Sequence, residues 1–235
     1  KGQMYAGAGT LGAEDAWYEV ATDFEQWELN NVPFVGGTVD IAKCFDQILR
    51  PLVYALASAA GMPLHILDSY QRFQEGLLVH NTIAGGVGTG FSRRCGIPQG
   101  YPFSMMLTAL LMRPWVLLAK TMGACPRILA DDILLLVPWQ GMIRKFASSL
   151  TQAHDYLIDM GAKIAEGKSV NFASTIAARK WLSATAWDKA GGAIKVVEHL
   201  RYLGGHLTTT AKRHHNTLTQ RGLAGQHMAA RAGCL

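Results

Sequence analysis

Asp131 and Asp132 stand side by side in Arg127-Ile-Leu-Ala-Asp-Asp-Ile-Leu-Leu-Leu-Val137. The flanking apolar runs are short and partly β-branched, so each reads as a buried strand and the carboxylates fall at a hairpin tip. Two like charges this close resist joint ionisation unless a cation neutralises them, which points to a metal site. A polar Asp-Asp turn has the same composition for its own hydrogen-bonding reasons. A third carboxylate, Asp40, ends the strand-like run Phe34-Val-Gly-Gly-Thr-Val39. Three carboxylates on neighbouring strand ends can hold two divalent ions about 3.5–4 Å apart, the arrangement used for in-line displacement at phosphorus. Magnesium suits a few carboxylates plus substrate phosphates better than a full protein cage. Alone, Asp40 equally suits a helix N-cap.

The elements that must position these groups follow from periodicity. Trp17, Val20, Phe24 and Trp27 recur at helical spacing over Glu14–Asn30. Pro51 and Gly61 bracket a helix over Leu52–Ala60, and a second runs over Leu64–Glu75. Strands at Leu77–Ile83 and Gly90–Arg94 flank a glycine-rich stretch, Gly85–Gly90. It lacks the Gly-Lys-Ser/Thr ending of a phosphate loop and reads as a flexible turn. In Gly96-Ile-Pro-Gln-Gly-Tyr-Pro-Phe-Ser104 two glycines and two prolines make a rigid corner, with Pro102 in the first turn of a helix reaching Thr121. Such a corner lets backbone approach a ligand, and Gln99 offers both a donor and an acceptor. A further helix over Met142–Met160 ends at Gly161. Strands are expected at Trp181–Trp187, Ile194–Val197 and Leu200–Leu207, with a turn at Gly191-Gly192. The first dozen residues read as a loose end, and 211–235 as basic and helix-compatible.

With 49% hydrophobic and 17% charged residues, the 235-residue chain is globular rather than disordered. Its four cysteines are scattered, which excludes a zinc framework or disulfide scaffold and fits a reducing, intracellular setting, nucleus or cytoplasm. His199, His206, His214 and His215 lack ligand spacing with any cysteine. No signal peptide opens the chain, and Arg113-Pro114 and Lys120 break the longest apolar run, so no membrane association is expected. Residues 1–90 hold 4 Lys/Arg against 10 Asp/Glu, whereas 91–235 hold 18 against 7. A basic second half suits a polyanionic partner, nucleic acid first, although a solvated surface has the same signature.

Taken in order, five stretches resemble the palm motifs of reverse transcriptases, most closely those of non-LTR retrotransposons and group II introns. Asp40-Ile-Ala-Lys-Cys-Phe45-Asp46 resembles the first catalytic motif, and Gly96–Ser104 the Pro-Gln-Gly motif of the nucleotide pocket. Leu129-Ala-Asp-Asp132 resembles the Tyr-Ala-Asp-Asp hairpin, with Leu129 in place of the usual Tyr. Gly161–Ser169, with Lys168, resembles the following Gly…Lys motif, and Leu200–Gly205 the Tyr-Leu-Gly turn that grips the primer end. Each is weak alone; the set in family order, over Phe34 to Leu207, is specific.

The resemblance implies an α+β polymerase palm, an antiparallel sheet backed by the helices at Leu52–Ala60, Pro102–Thr121 and Met142–Met160. It divides the chain into a partial fingers helix (1–33), the palm (34–207, with a finger segment at about 64–100) and a basic segment that starts a rudimentary thumb (208–235). With only 39 residues before Asp40, the chain reads as a palm-centred piece of an element-encoded enzyme. The implied activity is RNA-directed DNA synthesis. Two Mg²⁺ ions, with Mn²⁺ as an alternative, would be held by Asp40, Asp131 and Asp132 and the backbone carbonyl of Ile41. Phe45 would stack under the incoming sugar and exclude a 2′-hydroxyl. Gln99, with Pro98 and Gly100, would line the nucleotide pocket, and Lys168 would sit near the phosphates as a proton donor. The implied partners are an RNA template, a DNA or RNA primer and deoxynucleoside triphosphates. Two other readings stand beside this one: a catalytically silent nucleic-acid-binding module, and an RNA-dependent RNA polymerase, against which Phe45 and the Pro-Gln-Gly stretch argue.

Overall fold

A computed structural model gives the fold and describes residues 4, 5, 11–165, 167–210 and 226. Strand β1 (Phe34–Val39) is the axis of the molecule. It has few polar side chains and is buried almost throughout, as a strand covered on both faces should be. Helix α1 (Ala13–Leu29) precedes it. After it come the short α2 (Cys44–Gln47), α3 (Arg50–Ala59) and α4 (Leu64–Gly76). Four two-residue strands follow, β2 (Leu78–Val79), β3 (Thr82–Ile83), β4 (Gly86–Val87) and β5 (Phe91–Ser92). They form two small nested ladders, β2 with β5 and β3 with β4. The two longer strands expected here are interrupted, because this hairpin is exposed and has no core to pack on.

Helix α5 (Ser104–Thr121) leads into the hairpin β6 (Cys125–Leu129) and β7 (Asp132–Pro138). Pro102 lies just before α5 rather than in its first turn. Helix α6 (Met142–Asp159), β8 (Val170–Ala173) and α7 (Ile176–Ala184) complete the main layers. The strand expected at Trp181–Trp187 is therefore mostly helix. Thr175 caps α7 by accepting a hydrogen bond from the Ala178 N–H, and only β9 (Ala186–Trp187) is extended. A 3₁₀ turn at Asp188–Ala190 then leads to β10 (Gly192–Ala193), which pairs with β9. The chain continues through β11 (Lys195–Val196) and the hairpin β12 (His199–Tyr202) and β13 (Gly205–Thr208).

The main sheet has five strands in the order β11-β8-β1-β7-β6, antiparallel except where β11 joins β8. One face, with Val35, Leu135 and Val137, packs on α5 and α6 through Trp115, Val116, Phe146 and Leu150. The other, with Phe34, Leu134, Leu136 and Phe172, is covered by Val20, Phe24 and Trp27 of α1 and by the β12–β13 hairpin. Helix α3 does not back the sheet as expected; it packs with α4 and α5 in a separate cluster around Tyr70, Ile97 and Leu107. Nor is the start of the chain wholly loose. Tyr5 is buried, and its N–H donates to the Ile128 carbonyl at 3.0 Å. The basic segment 211–235 lies outside the described residues apart from Gln226. Among the described residues, no helix is long and apolar enough to cross a membrane.

Candidate active site at the end of the central strand

β1 and β7 run antiparallel with Val39 opposite Ile133. One step further along each strand, that register brings Asp40 alongside Asp132. The β6–β7 hairpin closes on the pair Leu129–Asp132, so Ala130 and Asp131 form its two-residue turn. Ala130 has φ 55°, a left-handed conformation costing an L-residue roughly 1–2 kcal/mol. The sequence pattern thus leads to one sheet end bearing three carboxylates from positions 91 residues apart in the chain.

Their charges act on one another. The Asp132 carboxyl is held above the usual carboxylate range, first by desolvation, then by the negative charges of Asp131 and Asp40. The residue is nonetheless exposed at the sheet end. Burial pushes the Cys44 thiol up to about 12, with the Asp131 charge adding to it. Lys168 Nζ lies 3.9 Å from Asp40 Oδ1, with both side chains reaching solvent. The backbone N–H of Asp40 donates to Ser169 Oγ at 3.3 Å.

Ile41 stands opposite Ile164 in an isolated antiparallel bridge. Its two hydrogen bonds belong to neighbours, Ala42 N–H to the Lys163 carbonyl at 2.8 Å and Ala165 N–H to the Asp40 carbonyl at 2.9 Å. The Ile41 carbonyl is not spent on that ladder. The donor set, three carboxylates and a carbonyl, consists of hard oxygen ligands of the kind that suit magnesium or manganese. Among the described residues, however, no three His, Cys, Asp or Glu side chains converge tightly enough to hold a metal ion as they stand.

The two expected pocket motifs are joined to each other. Ile97 N–H donates to the Phe45 carbonyl and Gly96 N–H to the Ile48 carbonyl, both at 2.8 Å. Gly96 has φ +86°, and a Cβ there would sit 2.9 Å from the Asp46 carbonyl oxygen, so only glycine permits this approach. The Pro98 carbonyl accepts from Ser104 Oγ at 2.6 Å, pinning the corner to the start of α5. Phe45 is half-buried against the α3–α4–α5 cluster, while Gln99 and Gly100 are exposed.

No protein-family model matches the chain, and no curated protein matches it. Among solved structures it is similar to apo telomerase from Candida tropicalis truncated from its C-terminal domain: 13% identity, 82% of this chain, 38% of that one, TM-score 0.56. It is similar also to telomerase from Candida albicans in complex with the TWJ fragment of telomeric RNA: 14% identity, 84% of this chain, 33% of that one, TM-score 0.54. The fold is reverse-transcriptase-like. The chain spans 38% or less of the length of these telomerase structures. Within this reverse-transcriptase-like fold, sequence reasoning missed two residues beside the site. Ser169 reads in the sequence only as part of the Gly…Lys stretch, yet its hydroxyl accepts the Asp40 N–H. Arg50 lay just ahead of the expected helix, yet it is buried against the Gly96 carbonyl at 2.8 Å. An arginine at the positive end of a helix is electrostatically misplaced, and that is the signal by which it could have been found.

Proposed function

We propose that this chain carries the palm of an RNA-directed DNA polymerase of the non-LTR retrotransposon or group II intron type. In this reading it transfers a deoxynucleotide to a primer 3′-hydroxyl on an RNA template. The observation that carries the reading is the register Val39–Ile133, with Asp40 alongside Asp132 next to the Ala130–Asp131 turn and Lys168 Nζ 3.9 Å from Asp40. Asp40, Asp131, Asp132 and the Ile41 carbonyl would hold two magnesium ions; when bound, these would lower the pKa of the primer hydroxyl and neutralise the triphosphate. The primer 3′-oxygen attacks the α-phosphorus as the bond to pyrophosphate breaks. Lys168 gives a proton to the leaving pyrophosphate, and its exposed ammonium suits that reach. Phe45 forms the floor beneath the deoxyribose. Pro98, Gln99 and Gly100 line the wall, held against that floor by the Ile97–Phe45 hydrogen bond.

Primer extension tests this directly, using the chain with poly(rA)/oligo(dT), dTTP and Mg²⁺. Incorporation that disappears in Asp131→Asn is the expected result. The alternative reading is a catalytically silent RNA-binding module. Tight RNA binding with no incorporation would support it and remove the first.

A further inference from the structure

Arg50 is the first residue of α3 and is almost wholly withdrawn from solvent. A guanidinium is costly to desolvate, and the positive end of a helix makes it costlier. Its partners explain why it is there. Nε donates to the Gly96 carbonyl at 2.8 Å, and Nη1 donates to the Gln74 carbonyl at 3.0 Å. Glu75, largely exposed, lies 3.5 Å from Nη1 and accepts from the Tyr54 hydroxyl at 3.0 Å. The fork therefore bridges the backbone of two segments, the corner before Pro98–Gln99 and the end of α4. The N–H beside that corner already bonds the Phe45 carbonyl, and Ser104 holds Pro98 from the far side.

We propose that Arg50 is a positioning residue for the incoming deoxynucleotide: it fixes the Gly96–Gln99 wall relative to Phe45 and so sets the sugar-selective width of the pocket. This rests on the polymerase reading. Lysine cannot replace it, because a single ammonium has no planar fork to span two carbonyls. The segment it also grips, the end of α4, leads into the exposed β2–β5 hairpin.

The test compares the full chain with Arg50→Met and Arg50→Lys. Methionine removes the charge and fork together and leaves the Gly96 and Gln74 carbonyls without their donor, so cooperative unfolding of each variant is measured first. Steady-state incorporation of dTTP and UTP is measured, together with dTTP affinity for the complex carrying a dideoxy-terminated primer. We expect kcat within about twofold of wild type, a KM and Kd for dTTP raised roughly tenfold, and dTTP/UTP discrimination reduced severalfold, as a loss of substrate positioning requires. A merely structural role would lower the melting temperature without separating KM from kcat or changing sugar choice. Folded variants with unchanged KM and discrimination overturn the inference alone. Loss of cooperative unfolding in both variants also overturns it, marking Arg50 as a core residue. A wild-type chain that incorporates nothing overturns the inference and the polymerase reading together.

Discussion

Arg127 donates from Nη2 to Asp23 Oδ2 at 2.8 Å, joining β6 to α1 across 104 residues of sequence, with both side chains nearly buried. Glu19 adds a longer contact at 3.8 Å and receives the Tyr5 hydroxyl at 2.8 Å. The strand that leads to Asp131 is thus tethered to the helix on the far face of the sheet. Asp23→Ala leaves a guanidinium buried without its main partner, which is expected to cost about 3–5 kcal/mol in denaturant unfolding. Asp23→Leu with Arg127→Met should recover most of that loss, because the second change removes the stranded charge. Equal loss in the single and double variants would show that packing, rather than charge, dominates there.

Asp131→Asn is expected to abolish nucleotide incorporation while leaving the melting temperature equal or slightly raised, since one of three crowded negative charges is gone. Asp132→Asn provides the pH test. The native state holds the Asp132 carboxyl above its usual range, so the ionised form is penalised by folding. That penalty is present above the raised value and fades as pH falls through it. Asp132→Asn should therefore stabilise the protein at neutral pH and make no difference in strong acid, as thermal unfolding across pH would record.

In the proposed nucleotide pocket, Phe45→Val would open space beneath the sugar. Discrimination by size in an apolar pocket amounts to about 1–3 kcal/mol, so ribonucleotide rejection should fall by roughly tenfold or more. Competitive incorporation of dTTP and UTP reads this, and unchanged rejection would remove Phe45 from the pocket.

His154 on α6 is buried, and burial lowers its pKa to about 4 against the attraction of Asp155. The unfolded chain takes up a proton near pH 6.5, whereas the folded one resists until about 4. Stability is therefore lost as pH falls between those values, by about 3 kcal/mol in all. His154→Leu should flatten the stability profile over that window in urea titrations, and an unaltered slope would assign the acid sensitivity to other groups.

How much of this was legible in the sequence depended on how local the determining forces were. Asp40 and Asp131 could be read because each follows or interrupts a run of β-branched and apolar residues, and such runs end where the sheet ends. The helix over Met142–Met160 was equally clear, its apolar residues recurring on one face. Helix α7 was misread because Trp181 and Trp187 look like strand residues; one is in a helix, the other in a strand, and the Thr175 cap that separates the outcomes is a short polar cue. The tertiary assignments were harder. Nothing in the spacing of Trp17, Val20, Phe24 and Trp27 indicates that α1 covers the sheet face opposite α5 and α6. Arg50 makes its bonds to backbone carbonyls, which carry no side-chain signature.

Strand β1 is hydrogen-bonded along both edges, to β7 and to β8, and Gly36 lets Phe172 and Leu136 close over it, leaving no room even for a methyl group. Asp40 therefore emerges from backbone that is held along both edges. If the proposed polymerase reading holds, motion on substrate entry would be borne by the Asp131 turn and the Lys168 loop, with Asp40 as the stationary datum against which they close.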